Sequence, residues 1–132
     1  MHDISDLFGK IRAFRPFLPA KDFETSLCFY KAIGFEACPL GETLAELDFG
    51  THAFLLQGHY VREWAENTVM HVLVQDVHAW WRHFNSLDLP RQFEVSPPAP
   101  PRIEPWGLTV AYLFDPSGVL WHFAQATTAN PE

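Results

Sequence analysis

A chain of 132 residues, 48% of them apolar, has the material for one core and is expected to form one domain, or two small halves that share a core. Nine Lys and Arg against sixteen Asp and Glu give a net charge of −7, which repels phosphate backbones and argues against nucleic-acid binding. The same charge would attract cationic small molecules, although it also serves plain solubility.

The expected location of the protein rests on targeting signals and cysteine usage. No apolar run approaches the about 20 residues of a membrane-spanning helix, and the stretch MHDISDLFGKIRAF lacks the basic start and long apolar run of a signal peptide. Cys28 and Cys38 lack metal-binding spacing and are predicted to be small buried residues. These features predict a reduced, cytoplasmic protein.

The first half of the chain predicts a strand, a helix and three further strands. Residues 11–18 (IRAFRPFL) are β-branched and aromatic, and Pro16 restricts this strand to a sheet edge or a swapped arm. Asp22 is a plausible cap for a helix whose apolar residues recur at helical spacing as far as Gly34. The three strands are predicted at 35–39, 43–49 and 52–57, and residues 58–67 are predicted to form a polar loop.

The second half repeats this order. Residues 68–75 predict a strand, Asp76 caps a second helix, and residues 91–96 (RQFEVS) predict another strand. The proline-rich stretch 97–105 is predicted to be a connector that cannot pair as a central strand. Two final strands flank the turn sequence Asp115-Pro116-Ser117-Gly118. The shared order indicates a weak internal repeat of about half the chain.

Three segments resemble the vicinal oxygen chelate superfamily, which includes glyoxalase I, the extradiol dioxygenases and the bleomycin-resistance proteins. RPFLPAKDFETSLCFYKAIGFE (15–36) resembles the opening strand and helix, and ENTVMHVLVQDV (66–77) resembles the opening strand of the second half. PWGLTVAYLFDPSGVLWHF (105–123) resembles the closing segment. The resemblance is closest to the bleomycin-resistance branch.

The resemblance implies the fold and the assembly. It implies an α+β domain over residues 1–132 with two βαβββ modules, at about 11–57 and 68–125, whose sheets curl into a cup. It also implies a homodimer, because Pro16 resembles the proline at the base of an amino-terminal arm that crosses to the other subunit. A simple edge-strand breaker is the alternative role of Pro16.

The resemblance also locates the positions at which enzymes of the superfamily hold a divalent metal. These positions fall at Arg15, at Phe54 or Leu55, at Val69 and at His122. Divalent metal sites need about three or four ligands from His, Glu, Asp or Cys, and only His122 qualifies. The resemblance therefore implies a protein without the usual metal site and without a cofactor, like the resistance branch.

His122 allows several roles. Strand alternation places it on the face opposite Trp121 and Phe123, where it could be a partly buried hydrogen-bonded residue, a ligand contact or a general base. His71 is expected to face the same cavity from a neighbouring strand. A non-standard metal pair, supported by Glu46 or Asp48, is a further alternative.

Trp106 is the main candidate for ligand binding. It precedes Gly107 in a loop and could simply cap the end of the barrel. The resemblance implies instead that it stacks on a flat aromatic part of a drug. A partner ring from the other subunit would fall near Leu44, which is not aromatic, so other rings are expected to contribute: Phe49, Phe54, Tyr60 and Trp64.

The acidic residues of the first half and the central loop are either a solvated face or a rim that attracts a cation; they are Glu42, Glu46, Asp48, Glu63 and Glu66. The function predicted from these features is sequestration of a flat, cationic aromatic compound, bleomycin-like or otherwise, in crevices at a dimer interface. Neither nucleic acid nor a membrane is an expected partner. The alternative is a metal-dependent lyase, isomerase or dioxygenase of the same superfamily.

Overall fold

A computed structural model describes residues 3–127, which form five helices and two four-stranded mixed sheets. The helices are α1 (Ile4–Phe8), α2 (Phe23–Ile33), α3 (Arg62–Glu66), α4 (Val77–Ser86) and α5 (Leu89–Phe93). The strands are β1 (Phe17–Pro19), β2 (Glu36–Gly41), β3 (Leu44–Phe49), β4 (His52–Gln57), β5 (Val69–Leu73), β6 (Ala99–Ile103), β7 (Leu108–Phe114) and β8 (Leu120–Ala126).

The two sheets have the same topology. The first has the strand order β1-β4-β3-β2 and the second has β5-β8-β7-β6. In each, the first strand of the half pairs parallel with the last, and the remaining pairs are antiparallel. The predicted α+β class is confirmed, and the internal repeat seen in the sequence corresponds to two copies of one sheet topology.

Both long helices begin where the sequence predicts. The Asp22 carboxylate accepts a hydrogen bond from the Thr25 backbone N–H, and the Asp76 carboxylate accepts one from the Ala79 N–H, each at 3.1 Å. These bonds satisfy amide groups that a helix amino terminus leaves unpaired. Helix α2 ends at Gly34, whose φ of 124° is open to glycine and strained for other residues.

One aromatic core joins the two halves. Trp121 of β8 packs against Phe54 of β4 and Phe35, with ring centres 5.5 and 5.7 Å apart. Tyr30 of α2 packs on the same cluster, and all four side chains are almost fully buried. Truncating such a ring to alanine typically costs about 3–5 kcal/mol. The halves therefore depend on a single core for stability.

The Asp115 turn is tied to the first half by buried hydrogen bonds. The Tyr30 hydroxyl donates to the Asp115 carboxylate at 2.6 Å, and the backbone N–H groups of Ser117 and Val119 donate to it at 2.8 and 2.9 Å. The indole N–H of Trp121 donates to the Tyr30 oxygen at 3.0 Å. Burial nevertheless raises the pKa of Asp115. This turn therefore connects the two modules through buried hydrogen bonds.

Three predicted boundaries are wrong for identifiable reasons. The strand expected at 11–18 is confined to β1, which begins after Pro16. Residues 91–96, expected as a strand, contain none: 91–93 are the end of α5, whose second residue, Pro90, is compatible with a first helical turn. The strand lies instead in the proline-rich segment, as β6, which tolerates prolines because it is a sheet edge.

Two further predictions need correction. The segment 58–67, expected to be a loop, contains the short helix α3 around the buried Ala65. Cys28 and Cys38, expected to be buried, are both exposed free thiols. Cys28 is an exposed residue of α2 next to the buried Phe29 and Tyr30, and Cys38 lies on β2, an edge strand of the first sheet.

Candidate ligand-binding site

Strand alternation builds a row of polar rings across the second sheet. Trp121 and Phe123 point into the core, so His122 between them points to the opposite side, here called the open face. His122 is in register with His71 on β5 and with Tyr112 on β7. Three adjacent strands therefore place an aromatic or imidazole ring at the same level of the open face.

The rings in this row are close together. The Nδ1 atoms of His71 and His122 are 3.4 Å apart, with ring planes at 76°. Tyr112 contacts His122 edge-on, with ring centres 5.0 Å apart. Trp106 lies over His122 at 5.9 Å from the loop between β6 and β7, where Gly107 has a φ of 96°. With 53% of its surface exposed, Trp106 has a ring face that a ligand can cover.

Glu104 orients one side of this cluster. Its carboxylate accepts a hydrogen bond from the Tyr112 hydroxyl at 2.7 Å and forms an ion pair with Arg102 at 3.2 Å. Only 8% of the surface of Glu104 is exposed. Burial, together with the hydrogen bond and charge of Glu104, raises the pKa of Tyr112 to about 12. Tyr112 is therefore a neutral, fixed hydroxyl at physiological pH.

His122 is held as a neutral imidazole. Burial lowers its pKa, and the neighbouring His71 lowers it further, while the charge of Glu104 acts in the opposite direction. A neutral imidazole can accept a hydrogen bond or coordinate a metal through its free nitrogen. The open face is therefore not made cationic by this residue at pH 7.

Sequence reasoning brought His71, His122 and Trp106 together but missed Tyr112 and Glu104. Tyr112 could have been found by counting outward from the Asp115 turn, because the hairpin register pairs it with His122. Glu104 carried no signal, since only the fold of the loop between β6 and β7 buries it beside Tyr112.

The structure shows what surrounds the four residues at the positions that the resemblance assigns to metal ligands. On β4 the exposed side belongs to Leu55, whereas Phe54 faces the core. Arg15 forms an ion pair with Glu46, and Val69 is half-exposed. Within residues 3–127, no group of three or more His, Cys, Asp or Glu side chains is placed to hold a metal. Support of the His71–His122 pair by Glu46 or Asp48, considered from the sequence, is thus wrong within one protomer.

Of the additional rings predicted to contact ligand, Phe54 lies in the core, whereas Phe49 lines the two cavities between the halves. Phe54 is fully buried between Tyr30 and Trp121, so its assignment as a ligand contact is wrong. Phe49 stacks on Phe35 at 4.8 Å and is only partly buried.

The remaining predicted contacts occupy the rim of the first half. Tyr60 lies beneath the Lys21 ammonium at 5.8 Å, and Trp64 lies beside His59 at 6.4 Å. Leu44 is the first residue of β3, half-buried opposite Gln57.

Two adjoining cavities lie where the halves meet. One, of about 660 Å³, is lined by His71 and Trp121 of the second half and by residues 12–16 and His52 of the first. The other, of about 570 Å³, is lined by Phe49, His52, Leu73 and Trp80, among others. Each volume lies within the range of pockets that bind drug-sized molecules. His71 thus links the ring cluster of the open face to a cavity of useful size.

The segment that precedes β1 exposes apolar side chains. Residues 11–16 have no regular secondary structure, and Phe14 is 89% exposed. The other exposed apolar residues of this segment are Ile4, Leu7, Phe8 and Ile11. An apolar surface of this kind is typical of a segment that packs on another chain.

Comparison with known proteins identifies solved structures that share this architecture. No family model and no curated protein matches the chain. Among solved structures, a bleomycin-binding protein complexed with bleomycin superposes with a TM-score of 0.72 and 24% identity, over 87% of this chain and 98% of that chain. The chain has the fold of the bleomycin-binding proteins.

Other structural neighbours carry related names. A glyoxalase/bleomycin resistance protein/dioxygenase from Nocardioides gives a TM-score of 0.71 at 12% identity, over 97% and 96% of the two chains. A lactoylglutathione lyase from Agrobacterium tumefaciens gives 0.64 at 19% identity, over 92% and 99%. The resemblance predicted from the sequence is confirmed for the fold, since the neighbours carry the names of the groups that it named.

The helices of residues 3–127 are all too short or too polar to cross a bilayer. The longest, α2, has eleven residues, against about 20 needed to span the hydrocarbon core. The cytoplasmic location stays a prediction.

Proposed function

We propose that this protein is a binding protein that sequesters a flat, cationic aromatic compound, bleomycin-like in chemistry, without transforming it. The observation that carries the proposal is the half-exposed ring of Trp106 above the neutral His122 on the open face. A flat ring system stacked on an indole gains about 0.5–1.5 kcal/mol beyond the apolar area that it buries. The fold shared with bleomycin-binding proteins supports this choice of ligand class.

Charge supports a cationic ligand through attraction at a distance. The net charge of −7 raises the local concentration of cations around the protein. Two carboxylates are already paired with arginines, Glu104 with Arg102 beside the ring cluster and Glu46 with Arg15 in the first half. Acidic residues therefore contribute to the rate of association more than to contacts in the bound state.

The proposal includes a homodimer whose crevices hold the ligand. The exposed apolar residues before Pro16 supply a segment that a second subunit can cover, as the sequence predicts for a swapped arm. A Trp106 face left half-exposed in one protomer is a surface that a second subunit can wall in. This arrangement would bury a drug-sized ligand from both sides.

Titration with bleomycin, followed by tryptophan fluorescence, tests the proposal. We expect binding by the native protein, and Trp106→Ala should weaken it by at least about tenfold, corresponding to about 1.4 kcal/mol. Trp106→Phe should retain part of the affinity because it keeps a stacking surface. His78→Ala, at an exposed position of α4, serves as the matched control.

Two outcomes would contradict the proposal. If micromolar bleomycin and related cationic aromatic compounds give no change in fluorescence or heat, the ligand class is wrong. If Trp106→Ala binds as tightly as the native chain, the stacking role of Trp106 is wrong even though a ligand binds.

A metal-dependent lyase or isomerase is the second candidate, supported by the fold shared with a lactoylglutathione lyase. The residues at the usual ligand positions do not favour it, because Arg15, Leu55 and Val69 offer no donor for a divalent cation. Conversion of glutathione hemithioacetals by metal-supplemented protein would support it over the binding function.

A further inference from the structure

We propose that helix α1 of one subunit docks in a cavity of a second copy of this chain, where its apolar side chains replace water. The contact surface on this segment, here called the α1 stripe, consists of Ile4, Leu7, Phe8 and Ile11. The acceptor is the cavity of about 570 Å³ beside α4, here called the α4 cavity. This docking rests on the homodimer of the proposed function and adds where α1 binds, and it requires no bound drug.

The α1 stripe has the spacing of an amphipathic helix. Its residues recur at i, i+3, i+4 and i+7, which places their side chains along one side of the segment. Each of the four is between 44% and 63% exposed, so the stripe faces water in a single subunit. The intervening residues Ser5 and Asp6 are polar. A segment with one exposed apolar side is typical of a surface that packs on another chain.

Helix α1 receives no support from the rest of its own subunit. Among residues 3–127, the hydrogen bonds of α1 and of the residues beside it join only positions 3 to 11. None of its five residues is buried. Isolated helices shorter than about 12–15 residues are marginal in water. We therefore expect a surface outside the subunit to hold α1 in place.

The α4 cavity is apolar and lies next to the segment that carries α1. Three rings and two aliphatic side chains contribute to its lining: Phe35, Phe49, Trp80, Val72 and Leu73. The adjoining cavity shares four of the lining residues and is also lined by residues 12–16, which directly follow the α1 stripe. The surface along which this segment runs therefore continues into the α4 cavity.

A second copy is the occupant that the exposed side chains favour. Residues 12–16 lie close to the α4 cavity of their own subunit, yet α1 lines neither cavity. Phe14, between α1 and β1, is also exposed, and so is Leu73 in the α4 cavity. Exchange of the segment 4–16 between two copies can cover all of these side chains. Docking of α1 within one subunit would cover only the α1 stripe and Leu73.

Charge complementarity favours this pairing over a lipid surface. Helix α1 and its cap carry Asp3 and Asp6, which are not part of the α1 stripe. The lining of the α4 cavity contains the imidazoles of His52 and His83 and no Asp or Glu. The neighbouring Arg82 on α4 is exposed and forms no ion pair within residues 3–127. Helices that bind anionic membranes carry Lys and Arg on their polar side instead.

Disulfide cross-linking between single-cysteine proteins tests the docking. In a background without the two exposed thiols (Cys28→Ser and Cys38→Ser), Leu7→Cys protein is mixed with Leu73→Cys protein. Under mild oxidation we expect a disulfide-linked dimer, because only a contact between chains can join the two proteins. Ser5→Cys, which lies off the α1 stripe, is the matched control and should link to Leu73→Cys far more slowly. Equal linking of Leu7→Cys and Ser5→Cys, or no linking of either, would overturn the docking.

The same two cysteines in one chain distinguish a second copy from the chain itself. The variant with both Leu7→Cys and Leu73→Cys should migrate as a linked dimer on a non-reducing denaturing gel. A disulfide closed inside one chain would overturn the second copy as the occupant.

A double-mutant cycle tests whether the two surfaces act on each other. Leu7→Ser and Leu73→Ser should each raise the dissociation constant of the dimer by at least about tenfold, measured by analytical ultracentrifugation. Both side chains are exposed in one subunit, so both variants should fold. The double variant should be no weaker than either single variant, because each removes the same contact. Additive losses would overturn the pairing of these two surfaces.

Two further measurements separate the docking from a lipid contact and from the proposed function. Vesicles that contain phosphatidylserine should not sediment the native protein, and sedimentation that Leu7→Ser abolishes would assign the α1 stripe to a lipid surface instead. A native dimer without the cross-link from Leu7→Cys to Leu73→Cys rejects only the docking, and a monomer rejects both the docking and the homodimer. The bleomycin titration decides on sequestration in either case.

Discussion

Glu104 determines the chemistry of the open face although it is nearly buried. It holds the hydroxyl of Tyr112, and Tyr112 packs against His122, so one carboxylate fixes a ring two contacts away. The Arg102 guanidinium balances its charge at 3.2 Å. Replacing Glu104 by an apolar residue would free the Tyr112 ring and leave Arg102 without its partner. The geometry of the His71–His122 pair thus rests on residues that touch neither histidine nitrogen.

The direction in which the pKa of His122 is shifted predicts how the stability of the protein depends on pH. Burial and His71 lower the pKa of His122, so NMR should show its imidazole titrating below 6.5. Because the unfolded chain then binds the proton more strongly, stability is lost as the pH falls from 6.5 through the pKa of folded His122. The midpoint should rise in His71→Gln, which removes a repulsive charge, and fall further in Glu104→Gln. A midpoint above 6.5 in the native protein would contradict this account.

At this scale the sequence predicted positions better than contacts. Alternation along β5 and β8 was enough to bring His71 and His122 to one face. The same rule left the register of β4 ambiguous by one residue, and it assigned the core residue Phe54 to a ligand. Register depends on how Phe54 meets Tyr30 and Trp121 in three dimensions, which a single strand does not encode.

Among elements, the sequence located the two long helices but missed the short helix α1, although the Asp3 carboxylate caps it by accepting a hydrogen bond from the Ser5 N–H. Helices α2 and α4 begin at Asp22 and Asp76, whose carboxylates accept from backbone amides in the first turn. Helices α3 and α5 lack such a bond, and both were missed. The strand β6 was missed as well, because its two prolines, in a proline-rich segment, favoured a connector, whereas an edge strand needs hydrogen bonds on one side only.

The cap of α4 supports a prediction at this scale. Asp76→Ala should lower the free energy of unfolding by about 1 kcal/mol, because the Ala79 N–H loses its acceptor. Asp76→Asn keeps a side-chain oxygen and is the matched control, with little change expected. Urea denaturation of the three proteins measures the difference. Equal stability of Asp76→Ala and Asp76→Asn would show that the cap contributes nothing.

For the whole molecule, exposed apolar side chains argue for a second copy. They are concentrated before β1, where Phe14 is almost fully exposed, and they continue on Val69 and Leu73 of β5. β1 and β5 each form one of the two outer edges of their sheets. A surface of this composition around two sheet edges is costly to leave in water. The homodimer that we propose would cover this surface without a different partner.

The segment before β1, which is the arm predicted from the sequence, supports a prediction about the oligomeric state. Substituting Ile11 and Phe14 by Ser should shift the protein from dimer to monomer in light scattering, because both side chains are exposed in one protomer. The fold should persist, since neither residue belongs to the core cluster. Lys10→Ser in the same segment is the control, and it should leave the particle mass measured by light scattering unchanged. A monomeric native protein, or a dimer unaffected by both substitutions, would reject the arm as the contact.

The shared aromatic core has a consequence for how the chain can be divided. Phe35 and Phe54 come from the first half and Trp121 from the second, so a cut in the loop before α3 separates rings that bury one another. Each fragment alone would expose an apolar surface to water and fail to fold. Mixed together, the fragments carry complementary halves of one core, and the chain is therefore suited to use as a split reporter whose signal appears only on reassembly.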